Sequence, residues 1–89
     1  MRPIFKRELN GGTQEVYRFD NQYGASVIRG GRYAYGGLEL AVLKFNGTGD
    51  DFSLCYSTPI TSDVLGHLDE SSLKRHLLDI QNLDEKYNG

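Results

Sequence analysis

The residues able to do chemistry are few and widely spaced. The two histidines, His67 and His76, lie nine positions apart, and the single cysteine, Cys55, lies twelve before the first. Neither interval matches the short spacings of zinc ligands, and a Cys55/His67/His76 set has no evident fourth member. Cys55 with either histidine would make a nucleophile and a base, but a thiol in an alternating apolar segment reads more simply as a small buried hydrophobe. Asp50 and Asp51 sit in a glycine-containing loop, as calcium ligands often do. The twelve-residue frame ending in a bidentate glutamate is absent, so a solvated turn is the simpler account. Asn46-Gly47-Thr48 has the form of a glycosylation acceptor, which is inert in a cytosolic protein.

The most informative stretch is Gly30-Gly31-Arg32-Tyr33-Ala34-Tyr35-Gly36-Gly37. Glycine pairs at both ends admit backbone conformations closed to other residues. Three readings follow. The glycine N–H groups could form an anion nest, with Arg29 and Arg32 supplying charge for a small anionic ligand such as a nucleotide signal. Against this, the stretch fits neither GxGxxG nor GxxxxGK[ST], and no helix follows it. The second reading is a long hairpin connection whose glycines allow twisting. The third is a protein-contact tip, because arginine and tyrosine are enriched at binding hot spots. The partner-binding candidates are therefore Arg29, Arg32, Tyr33 and Tyr35. No catalytic residue, metal ligand or cofactor is nominated.

These residues need strands to carry them. Pro3 to Leu9 alternates only partially and predicts an edge strand, followed by a turn at Asn10-Gly11-Gly12. Gln14 to Phe19 predicts a second strand, with Glu15, Tyr17 and Phe19 on one face and Val16 and Arg18 on the other, and Asp20-Asn21 closes it. Tyr23 to Arg29 predicts a third, with Gly24 allowing close approach of a neighbour. Leu38 to Phe45 is apolar on both faces from Leu40 to Leu43, as expected of a central strand. Phe52 to Tyr56 predicts a fifth strand, and Thr58-Pro59 ends the sheet.

The period then changes. Leu73, Leu77, Ile80 and Leu83 recur at spacings of four and three, with Leu78 widening the stripe, predicting an amphipathic helix from about Glu70 to Leu83. Asp69 is the expected N-cap, Leu68 the expected staple onto Leu73, and Glu70–Lys74 and Arg75–Asp79 the expected ion pairs. Ser62 to Leu68 predicts a short helical turn interrupted at Gly66, and Asp84 to Gly89 a frayed end. His76 is expected on the exposed side of the helix, and His67 at a turn.

Size and composition bound the rest. A chain of 89 residues holds one domain with one modest core. Six tyrosines and four phenylalanines without tryptophan make aromatics a large share of that core and of the surface. A net charge of −2 disfavours a nucleic-acid backbone as partner, and is too small for an acidic mimic of DNA. One cysteine points to a reducing cytosol. No apolar run reaches membrane-spanning length, and the start, MRPIFKRELNGG, has no hydrophobic signal core.

Tyr23 to Leu43, with its Tyr-Gly-Ala-Ser-Val strand, Tyr-Ala-Tyr-Gly-Gly loop and Glu-Leu-Ala-Val-Leu strand, resembles small proteins encoded by bacteriophages and prophages. So does Leu54 to Val64, Leu-Cys-Tyr-Ser-Thr-Pro-Ile-Thr-Ser-Asp-Val. The likeness carries no catalytic residues to transfer. It implies a phage-type protein acting in the cytoplasm of a bacterial host. Proteins of this size there often bind and disable a host or anti-phage defence component, including CRISPR effectors.

The expected architecture is a single α+β domain over residues 1–89, a four- to five-stranded mostly antiparallel sheet with one C-terminal helix on a face. Leu73, Leu77, Ile80 and Leu83 are expected to meet Leu40, Val42 and Val27 or their opposite-face neighbours. The expected function is a non-enzymatic inhibitor or modulator of a host or defence protein, with anionic-ligand capture as the alternative. Self-association through an exposed strand edge, partly discouraged by the charges of the first strand, is a further alternative.

Overall fold

The computed structural model describes residues 2–9, 11–30, 38–47, 51–55 and 64–83. Arg32, Tyr33 and Tyr35, the Thr58-Pro59 stop and the tail from Asp84 lie outside them. Hairpin chemistry sets the order of the strands. β1 (Phe5–Leu9) and β2 (Gly12–Arg18) pair antiparallel with Leu9 opposite Gly12, so two residues make the turn, and Gly11 takes φ +82° in it. β2 turns into β3 (Tyr23–Gly30) through Asp20-Asn21-Gln22. The Phe19 N–H donates to Tyr23 O, the Gln22 N–H donates to Phe19 O, and Gln22 stands at φ +70°. This is a three-residue loop whose last member is left-handed, a place glycine commonly takes.

β3 pairs with β4 (Leu38–Phe45) over seven residue pairs, from Tyr23 opposite Lys44 to Arg29 opposite Leu38. The far edge of β4 is shared. β5 (Phe52–Leu54) pairs with its second half, and β6 (Leu65–Leu68) pairs with its first. The molecule is therefore α+β, with a six-stranded sheet and one helix, α1 (Glu70–Gln81), among the described residues.

β6 corrects the sequence reading. Residues 65–68 form a strand where a helical turn was expected, and the sheet continues beyond Thr58-Pro59. The cause is an irregular register. Leu38 faces Leu68 and Leu40 faces Leu65, so Gly66 and His67 both oppose Glu39. His67 takes φ +56° to make room for the extra residue. The bulge brings Leu65 and Leu68 onto the core although they are three apart, a spacing that imitates a helix. The fifth strand is also shorter than expected. It stops at Leu54, although the Cys55 N–H still donates to Val42 O at 2.8 Å.

Alternation gives the sheet two apolar faces. Toward α1 lie Tyr17, Tyr23, Ala25, Val27, Leu40 and Val42, joined by Cys55 and by Leu73, Leu77, Ile80 and Leu83, in one buried cluster. The expected meeting of helix leucines with Val27, Leu40 and Val42 is present, and Cys55 is a core residue, 4% exposed. On the other face Val16, Leu43 and Phe45 form a smaller buried cluster, with Phe5 and Phe52 against it. The central position expected for Leu38 to Phe45 follows from this two-sided burial. Gly24 lets β2 and Phe45 close in: a Cβ there would lie 2.0 Å from Tyr17 O and 2.6 Å from the Phe45 ring.

Both ends of α1 are tied. The Asp69 carboxylate accepts the Ser72 N–H at 2.7 Å as N-cap, and Leu68 packs on the cluster that holds Leu73. At the other end Asn21 Nδ2 donates to the carbonyls of Ile80, Gln81 and Leu83, while its Oδ1 accepts the Tyr23 N–H. One side chain thus caps carbonyls at and just past the helix C-terminus and fastens the β2–β3 turn to them.

Candidate functional site

Arg29 is the one candidate among the described residues, and it stands at the foot of the glycine-rich connection. Gly30, which follows it, has φ +68°. Residues 31–37 run from this point to Leu38, the cross-strand neighbour of Arg29. Arg32, Tyr33 and Tyr35 lie outside the described residues, between Gly30 and Leu38 in sequence.

The structure surrounds Arg29 with acids. Alternation along β2 and β3 puts Glu15, Tyr17, Val27 and Arg29 on the helix side of the sheet. Arg29 Nε donates to Glu15 Oε1 at 2.7 Å, and Nη1 donates to Glu70 Oε1 at the start of α1. The Arg29 side chain is 33% exposed, Glu15 13% and Glu70 70%, so the inner pair is sheltered and the outer one faces solvent. Glu70 is also placed where the helix dipole favours an anion. The hydrogen bonds from Arg29 to Glu70 and then to Glu15 raise the guanidinium pKa further above its already high value, so Arg29 is charged at every accessible pH.

Sequence spacing along the helix paired Glu70 with Lys74. Among the described residues neither that pair nor Arg75–Asp79 forms, and the Glu70 carboxylate turns to Arg29 instead. A partly sheltered guanidinium held by a second acid is a better partner than a solvated lysine one turn along.

Beside this ion-pair chain lies a cleft of about 260 Å³, lined by Tyr17, Arg29, Glu70, Leu73, Lys74 and Leu77. Its floor is the rim of the main core and its walls are charged. Burial, followed by the nearby Glu15 carboxylate, raises the Tyr17 phenol above its ordinary pKa, so the ring stays neutral around pH 7. A second hollow of about 250 Å³, lined by Ile4, Arg18, Phe19, Asp20 and Gln22, lies by the β2–β3 turn. Its arginine is committed as well: Arg18 Nη2 donates to Gln22 Oε1 and Gly47 O, and the guanidinium lies 4.9 Å from the Phe45 ring centre.

The chain matches no family model, no curated protein and no solved structure.

Among the described residues no three of His, Cys, Asp and Glu come together as metal ligands would. His67 is exposed on the bulge. His76, expected on the exposed side of α1, is half-buried, and its Nδ1 is enclosed without a hydrogen-bond partner. The buried side of α1 is turned toward Ser72 and His76 and away from Leu78, which was expected to widen the apolar stripe and is 42% exposed.

Sequence reasoning did not find Glu15, Glu70 and Tyr17 as the surroundings of Arg29. The face shared by Glu15 and Tyr17 was readable from alternation, whereas Glu70 reaches Arg29 across 41 positions of chain. No local periodicity reports such a distance. No described helix is long and apolar enough to cross a membrane.

Proposed function

We propose that the protein is a small non-enzymatic binding protein of the phage type that its sequence resembles. It acts in the bacterial host cytoplasm and inhibits or modulates a host or anti-phage defence protein, with a CRISPR effector as one target class. Contact is made through the connection between β3 and β4, with Arg32, Tyr33 and Tyr35 at its tip and Arg29 at its foot.

The observation that carries this reading is the state of Arg29. Its guanidinium donates to two carboxylates, Glu15 and Glu70. The anionic-ligand alternative relied on Arg29 and Arg32 together to attract charge, and the first of these is already neutralised by two acids. A protein surface tolerates such a pair: it braces the foot of the connection against α1 while leaving tyrosine and arginine types at the tip, which suit a desolvated contact.

Two experiments separate the readings. Affinity purification from host cells expressing the tagged protein is expected to recover a protein partner in stoichiometric amount. Thermal-shift screening against a nucleotide panel is expected to give no stabilisation. A ligand at about 100 times its Kd would add about 2.7 kcal/mol, and a shift of that kind without a protein partner would replace this reading by the anionic-ligand one.

A further inference from the structure

β1 is the end strand of the sheet, and its charge order, Lys6-Arg7-Glu8, is self-complementary. Phe19 and Tyr23 form a bonded pair across the β2–β3 turn, so strand alternation gives the main-chain groups of residues 13, 15 and 17 to β3 and those of 12, 14 and 16 to β1. Through the register Phe5–Val16, Arg7–Gln14 and Leu9–Gly12, the main chains of Phe5, Arg7 and Leu9 point inward. Those of Lys6 and Glu8 point outward. β1 ends the sheet on its side, with Lys6, Arg7 and Glu8 exposed.

We propose that two copies of this chain pair antiparallel through β1, about a two-fold axis at Arg7, to make one continuous sheet across both. This goes beyond the partner-binding reading and does not depend on it. At that axis Lys6 of each copy stands opposite Glu8 of the other. These are also the residues whose N–H and C=O groups face outward, so four main-chain hydrogen bonds and two opposite-charge pairs form together. Phe5 stands opposite Leu9 on the other face, next to the cluster of Val16, Leu43 and Phe45.

Charge selects this register over its neighbours. A slip of two residues sets Lys6 against Lys6 or Glu8 against Glu8, and a slip of one sets outward groups against inward ones. The cost at the axis is Arg7 facing its own copy. The Arg7 side chain is drawn back onto its own sheet, with Nε donating to Gln14 Oε1 at 2.6 Å and the guanidinium 5.9 Å from the centre of the Phe5 ring.

Sedimentation equilibrium tests this with a charge-swap set. Wild type is expected at twice the 10.0 kDa chain mass. Lys6→Glu and Glu8→Lys each oppose like charges, and each is expected to raise the dimer dissociation constant at least about tenfold. The double variant Lys6→Glu/Glu8→Lys restores the complement and is expected to return to the wild-type constant. All three changes are at exposed positions, and circular dichroism checks that the fold is kept. An independent variant, Arg7→Cys, places two thiols across the axis at a separation of about 4.5 Å between Cα atoms, and is expected to form a disulfide-linked dimer under mild oxidation. Monomeric wild type at all concentrations overturns the proposal, as does a double variant no tighter than the single ones.

Discussion

At the scale of single residues, the polar side chains that matter most join segments far apart in the chain. Asn21 holds three helix-end carbonyls and one strand N–H at once. Asn21→Ala is expected to lower stability by about 1–3 kcal/mol, since it removes four hydrogen bonds, three of them partly buried, and urea unfolding measures it. A loss well under that range would mean that water replaces the amide freely. Asp69 gives a pH test. The Ser72 N–H holds its carboxyl below the ordinary value of 3.8, so its stabilisation is present above that pH and is lost as pH falls through the lower, folded-state pKa. The stability gap between wild type and Asp69→Ala should therefore be constant near neutrality and narrow below about pH 4. A gap independent of pH would contradict the cap. The role of Asp69 was legible because an N-cap is local to its helix. The sequence marked Asn21 only as a turn residue, because its helical partners lie about 60 positions away.

At the scale of elements, α1 and the two-sided sheet carry the fold. Leu77 is 5% exposed within the main cluster, and Leu77→Ala is expected to cost about 2–5 kcal/mol. Unfolding curves within about 0.5 kcal/mol of wild type would remove Leu77 from the core. The bulge of β6 makes a sharper test because its key residue is exposed. His67 stands at φ +56°, where a β-branched side chain is strained. His67→Val is expected to destabilise by about 1–3 kcal/mol, whereas His67→Gly should be neutral or stabilising. A neutral valine variant would argue against the bulged register. β2 and β3 were readable from alternation and the turn residues between them, β1 from the glycine turn after a partly alternating segment, β4 from its run apolar on both faces, and the helix because its leucine stripe is long. β6 was not readable: the bulge erases alternation over four residues and leaves leucines three apart.

At the scale of the whole molecule, a helix clamped at both ends and a salt-bridged Arg29 brace the end of the sheet from which the glycine-rich connection departs. Sequence types alone nominated Arg29, Arg32, Tyr33 and Tyr35, but they could not reveal that Arg29 is shared between Glu15 and Glu70, because that arrangement needs β2, β3 and α1 together. The central claim is that the Arg32, Tyr33 and Tyr35 tip makes the contact. The direct measurement compares partner recovery from host lysate by wild type and by an Arg32→Ala/Tyr33→Ala/Tyr35→Ala variant of equal melting temperature, quantified by mass spectrometry. The partner enriched by wild type is expected to fall at least about tenfold with the variant, as when hot-spot side chains are truncated. Equal recovery by the two proteins would contradict it.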